Sequence, residues 1–226
     1  MSDTDVVPER IERFARLVGP RSDGIVAEMD AYAEETGFPT VGPAVGGWLR
    51  LLARMVDARR IFEFGSGFGY SAYWFAGALP EDGEVVLTEF DAENCERAAD
   101  YLSRGGFSDR TVIEQGDALD VVESYDGPFD VVLVDNEKER YAEAFEAVRE
   151  KVAPGGVVVA DNAMTAGPMD FDALVELVAG EDIETTDATR GVAEYLAAVH
   201  NADEFETGLL PVGEGVAVSH RLARNP

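Results

Sequence analysis

Apolar positions follow two different rhythms along this chain, and the change falls near residue 60. Ahead of it they recur every three to four residues over 8–18, 24–35 and 43–56, which predicts three amphipathic helices. The third, PAVGGWLRLLARMV, opens at Pro43, where a missing N–H costs a first helical turn nothing. Beyond residue 60, short and densely apolar pulses alternate with amphipathic stretches. The pulses RIFEF (60–64), EVVLTE (84–89), RTVIEQ (110–115), FDVVLVD (129–135) and GGVVVAD (155–161) predict strands. Segments 70–79, 91–104, 117–123 and 137–152 predict the helices between them, with two more at 169–179 and 189–200. EFETGLLP and EGVAVSHRL predict a closing strand pair, and their short link, VG, requires an antiparallel hairpin. This alternation predicts an α/β fold: a doubly wound, mostly parallel seven-stranded sheet with an antiparallel C-terminal strand.

The first strand runs into FEFGSGFGYS, whose glycines at 65, 67 and 69 allow a backbone to approach a ligand unobstructed. A dinucleotide fingerprint, G-x-G-x-x-G, needs its third glycine at position 70, which is Tyr70. Glu63 stands two places before Gly65, where it suits a cationic or hydroxyl-bearing ligand and repels a phosphate. The string therefore fits S-adenosylmethionine, which carries a sulfonium, an ammonium and a ribose but no phosphate; a ligand-free glycine turn is the alternative. Glu89 ends the second strand 22 residues after Gly67, about the spacing at which an acid reaches ribose hydroxyls in nucleotide-binding α/β folds.

Ligands of open α/β sheets bind beyond the carboxyl ends of the strands, so the acids found there are the candidates for chemistry. Asp135 and Asp161 end strands that should be neighbours, and Asn162 follows at once. Three oxygen ligands without histidine or cysteine suit a hard cation such as Mg²⁺, or another divalent ion such as Mn²⁺ or Ca²⁺. Strand-end carboxylates also cap helices and Asp-Asn is a turn signal, so the spacing alone leaves both readings open.

Composition tips the balance through one residue type. Lys138 and Lys151 are the only two lysines in a chain that otherwise uses arginine, and Lys138 follows Asp135 by three residues. Arginine cannot give up its proton, whereas a lysine beside a divalent cation can serve as a general base. A surface lysine paired with Glu137 or Glu139 is the plainer alternative. Lys and Arg number 18 against 45 Asp and Glu, a net charge of −27. That balance disfavours nucleic-acid backbones and anionic membranes. It also matches proteins of a salt-rich cytoplasm, where a Debye length near 3 Å mutes such charge arguments. The single cysteine, Cys95, allows no internal disulfide and lies in a helical pattern, which marks a packed thiol. The N-terminal MSDTDVVPER lacks the features of an export signal and no apolar run is long enough to span a bilayer, so a cytoplasmic location is expected.

FEFGSGFGYSA, FDVVLVDNEKERY, VAPGGVVVADNAMTAG and LLPVGEGVAVSHRL together resemble the metal-dependent O-methyltransferases of the catechol and caffeoyl-CoA type. The likeness runs from about PTVGPAVGGWL to the C-terminus. It implies one methyltransferase domain over 1–226, with helices at 8–56 ahead of a nucleotide-binding core at 59–226. The family's D-x-x-K and D-N motifs imply Asp135, Asp161 and Asn162 as metal ligands and Lys138 as the base. For the methyl donor the resemblance implies Val41, Glu63, Gly65, Ser66, Gly67 and Ser71 around the methionine end and glycine loop, with Asp135 close by. It also implies Glu89 at the ribose, and Ala118 near the adenine with Asp117 adjoining. A homodimer and a small catechol-like acceptor follow from the same resemblance. A hydroxylated uridine of transfer RNA is the alternative acceptor, and a non-catalytic binder of the donor is a third reading. Family members often read D-A-D-K and place a leucine and a tryptophan after D-N; here the strings are DNEK and DNAMTAG, which opens the identity of the acceptor.

Overall fold

The computed structural model describes residues 6–223. Residues 1–5 and 224–226 of the one-domain reading, and with them half of the N-terminal stretch read for export signals, lie outside the described residues. The strands are β1 (Arg60–Phe64), β2 (Glu84–Glu89), β3 (Thr111–Gln115), β4 (Phe129–Val134), β5 (Val152–Ala160), β6 (Phe205–Leu210) and β7 (Val216–Arg221). They form one sheet in the order β3-β2-β1-β4-β5-β7-β6. The first five run parallel, and β7 is antiparallel to both of its neighbours, as expected from the closing hairpin.

Alternate residues of the central strands face opposite ways, and both faces are covered. Ile61, Val85, Leu87, Val131, Leu133, Val157 and Val159 pack beneath α2 (Gly24–Thr36), α3 (Gly42–Met55), α4 (Tyr70–Ala76) and α5 (Ala92–Arg104). Phe62, Phe64, Val86, Val132, Val134, Val158 and Ala160 face α6 (Ala118–Glu123), α7 (Tyr141–Val148), α8 (Phe171–Val178) and α9 (Asp187–His200). Two-sided burial explains why the strands read as continuous apolar runs. The first predicted helix is α1 (Glu9–Val18), which buries no side chain fully and contacts α3. None of the described helices is long and apolar enough to cross a membrane.

Several boundaries differ from the sequence pattern. The segment 137–152 is not one helix: a 3-10 turn at Lys138–Arg140 leads into α7, and β5 already begins at Val152. Val152 pairs with Phe129, and the proline and glycines at 154–156 suit a strand with a register shift better than a helix end. Asp135 and Asp161 each lie one residue past their strand, although both still donate a ladder bond, to the carbonyls of Phe64 (3.0 Å) and Val134 (3.2 Å). The hairpin link spans 211–215 instead of two residues, because Pro211 cannot donate to the ladder.

Packing then positions the strand ends. Gly191 of α9 lies against the turn that carries Lys138: a Cβ added there would stand 2.4 Å from the Lys138 carbonyl oxygen and 2.6 Å from Glu139 Cα. Across the sheet, Tyr70 and Tyr73 of α4 donate to Asp30 (2.6 Å) and Asp23 (2.8 Å), which ties α2 down beside the glycine loop. Inside β1, the fully buried Glu63 accepts a hydrogen bond from Ser71 Oγ while its Oε2 has no partner. Burial pushes its carboxyl up to about 8, against the opposing pull of Ser71.

Two stability measurements test these contacts. Gly191→Ala should lower the unfolding free energy by about 1–3 kcal/mol in urea titration, since the added methyl meets rigid backbone; an unchanged midpoint would contradict the close approach. Glu63 is protonated more readily in the fold than in the open chain, so its contribution is fully present below about pH 4.5 and fades as pH rises through about 8. Glu63→Gln keeps an acceptor for Ser71 and removes that loss. At pH 9 it should exceed wild type by on the order of 5 kcal/mol, with little difference at pH 4. Parallel pH profiles for the two proteins would show that Glu63 ionises normally.

Candidate active site

The parallel strands deliver their C-terminal residues to one edge of the sheet, and a cavity of about 860 Å³ opens there. Its floor begins at the glycine loop. Gly65 has φ 78°, and a Cβ on it would lie 2.6 Å from the Asp135 carbonyl oxygen, so the loop after β1 can rest on the end of β4 only as glycine. Ser66 N–H donates to the Thr88 carbonyl (2.9 Å), which holds the loop against β2. Gly65, Ser66, Gly67 and Ser71 all line the cavity, as does Val41 at the start of α3. Glu63 does not: it lies beneath the cavity wall and reaches it through the Ser71 hydroxyl. Tyr70, which stands where the fingerprint needs a glycine, donates its hydroxyl to Asp30 of α2 and packs its ring edge-on against Phe68.

Glu89 is buried at the end of β2 and lines the cavity, with Oε1 accepting from Asp91 N–H at 2.8 Å. Asp117 and Ala118 line it at the start of α6. Asp117 is already engaged: it caps Leu119 N–H (2.9 Å) and takes a 2.6 Å ion pair from Arg140. Arg140 holds its carboxyl below the usual carboxylate range.

At the β4 and β5 ends, Asp135, Lys138, Asp161 and Asn162 meet in the same cavity. Lys138 Nζ lies 3.2 Å from Asp135 Oδ1 and 3.2 Å from the Asn136 carbonyl oxygen, and 5.0 Å from the centre of the Tyr141 ring. Its partner is thus Asp135, not Glu137 or Glu139, and its side chain is only 18% exposed. Burial pushes the Asp135 carboxyl up to about 6 although Lys138 pulls it down. Asp161 is raised well above its ordinary value, by burial first and by Asp135 next. Its Oδ1 is buried with no partner, and Tyr141 O–H donates to its main-chain carbonyl (3.1 Å).

Among the described residues no three His, Cys, Asp or Glu side chains gather as a metal-holding group. The set here is two carboxylates and an amide. A buried acid with an unpartnered oxygen, its charged form disfavoured by a second, half-buried carboxylate, fits a hard divalent cation. Sequence reasoning missed Arg140 and Glu214, which also line the cavity, and Phe38 and Phe90 at its edge. Arginine and glutamate are common in this chain, so nothing in their local pattern separates these from surface residues.

Comparison with known proteins agrees with this geometry. Over 157 residues the chain is 35% identical to a catechol O-methyltransferase of Niastella koreensis, covering 67% of this chain and 71% of that one. It is 28% identical to caffeoyl-CoA O-methyltransferase 2 of Zea mays over 187 residues, or 78% and 68% of the two chains. The O-methyltransferase TomG from Streptomyces achromogenes, solved in complex with SAM, superposes with a TM-score of 0.80 at 27% identity, covering 95% of this chain and 96% of that one. The O-methyltransferase family profile matches residues 27–222, and on that match the chain belongs to the O-methyltransferase family.

Proposed function

We propose that this protein transfers a methyl group from S-adenosylmethionine to a hydroxyl oxygen of a small, catechol-like acceptor, using a divalent cation such as Mg²⁺ held by Asp135, Asp161 and Asn162. The observation that carries the reading is that donor-type and acceptor-type groups share one cavity, in the order imposed by the sheet. From Glu89 on β2 to Asp161 beyond β5 is three strand spacings, about 14 Å. That span suits a nucleoside at one end and a reacting oxygen at the other. A small acceptor is also favoured over nucleic acid by the net charge of −27.

When bound, the donor supplies an electrophilic methyl on a sulfonium, and the cation supplies Lewis acidity that acidifies a hydroxyl and holds vicinal oxygens. The chain's own residues do the rest. Glu89 accepts from the ribose hydroxyls, and Ser71, oriented by Glu63, meets the amino-acid end of the donor. Ala118 and the Asp117–Arg140 pair flank the base. Lys138 Nζ takes the proton of the attacking hydroxyl as the oxygen–methyl bond forms and the sulfur–methyl bond breaks. Holding the two reactants in line within one cavity supplies much of the acceleration.

Turnover of labelled donor with catechols and caffeoyl thioesters tests the reading directly. EDTA should abolish methylation and Mg²⁺ or Mn²⁺ should restore it, while Asp161→Ala should lose turnover yet still bind the donor in calorimetry. Full activity after thorough chelation would remove the cation from the proposal. Lys138→Arg separates a base from an ion-pair partner. As base, Lys138 cannot be replaced by arginine, so kcat should fall by about 10²–10⁴, with partial rescue when high pH ionises the catechol. A near-wild-type variant would leave Lys138 with only its ion pair to Asp135.

A further inference from the structure

Asn162 differs from the two aspartates in having an amide that can present either its oxygen or its NH₂ group to the cavity. Only the oxygen can bind a hard cation. The residue has φ 54°, a left-handed backbone that asparagine tolerates, and it is buried, so a neighbour in the fold and not water must choose the amide orientation. One does. Glu214, in the link between β6 and β7, accepts a hydrogen bond from Asn162 Nδ2. An ionised carboxylate only accepts, so the contact sets the NH₂ towards Glu214 and leaves Oδ1 on the opposite side of the amide. The backbone of the same link pins the loop independently. The Glu214 carbonyl accepts from Met164 N–H (3.1 Å) and Thr165 N–H (3.0 Å), and the Gly215 carbonyl from Ala163 N–H (2.8 Å).

We infer that Glu214 is a positioning residue, which locks the Asn162 amide with its carbonyl oxygen presented to a divalent cation. The inference rests on the reading that Asp135, Asp161 and Asn162 hold such a cation. Glu214 itself stays outside the ligand set, since no third carboxylate gathers with Asp135 and Asp161 among the described residues. Its main-chain bonds survive truncation of the side chain, so the two contributions of this link are separable by mutation.

Mn²⁺ is the probe, with free ion followed by its electron paramagnetic resonance signal and no turnover involved. Glu214→Ala should weaken Mn²⁺ binding about 10- to 100-fold, the usual effect of losing a partner that orients a metal ligand. Glu214→Gln, whose side-chain oxygen can still accept from the amide, should recover most of the affinity. Asn162→Gly removes the amide without straining the left-handed backbone, and in that background Glu214→Ala should add almost nothing, because the two side chains act as one unit. An unchanged affinity for Glu214→Ala, a Gln variant as weak as Ala, or an undiminished effect of Glu214→Ala in the Asn162→Gly background would each overturn the inference while leaving the cation reading intact. Absence of Mn²⁺ uptake by the wild-type protein would overturn the cation reading, and the role of Glu214 with it.

Discussion

The parallel register of β4 and β5, with Val134 opposite Ala160, forces two acidic residues into neighbouring positions where the strands end. Asp161 is withdrawn from water and Asp135 only in part, and the Asp135 charge makes ionisation of Asp161 harder. Placing two carboxylates side by side, one of them buried, is costly unless positive charge or donors answer them. Much of the surrounding structure is arranged as that answer. Lys138 comes from the turn directly after β4, and α9 approaches closely enough at Gly191 to hold the turn in place. Tyr141 fixes the main chain at Asp161, and the β6–β7 link braces the loop that follows.

The other half of the cavity depends on close backbone approach. Gly65 lets the loop after β1 touch the end of β4, which brings the glycine loop next to the acidic pair. Glu63 is held in the same strand at the expense of a buried carboxyl, and its one hydrogen bond aims Ser71. The N-terminal helices complete the wall: Asp23 and Asp30 of the α2 region anchor to α4, and Phe38 and Tyr32 pack edge-on against Phe68 of the loop. The glycine loop and the acidic pair are therefore mechanically linked through β1 and β4, which lie side by side in the middle of the sheet.

Much of this was legible in the linear pattern, because the signals are local. Apolar pulses buried on both faces marked the parallel strands, and Asp91 and Asp117 stand where the helices after β2 and β3 begin because each caps its own first turn. The glycine spacing and Tyr70 distinguished the loop from a dinucleotide fingerprint. The rarity of lysine singled out Lys138, which pairs with Asp135 as its three-residue spacing allowed. Local pattern failed where pairing between distant segments decides the backbone. The apolar and charged residues of 137–152 suit a helix, yet Val152 is claimed by Phe129 across the sheet.

The sequence by itself determined the order of strands and helices, the residues available at each strand end, and the family to which these motifs belong, since all are written within short windows. Only the tertiary structure decided which of those residues face the cavity. It set Glu63 beneath the wall, committed Asp117 to Arg140, and brought Glu214 to Asn162 across 52 positions of chain. The physical reason is that these contacts cross between strands and links far apart in sequence, where sheet order and hairpin geometry, not residue spacing, fix which groups meet.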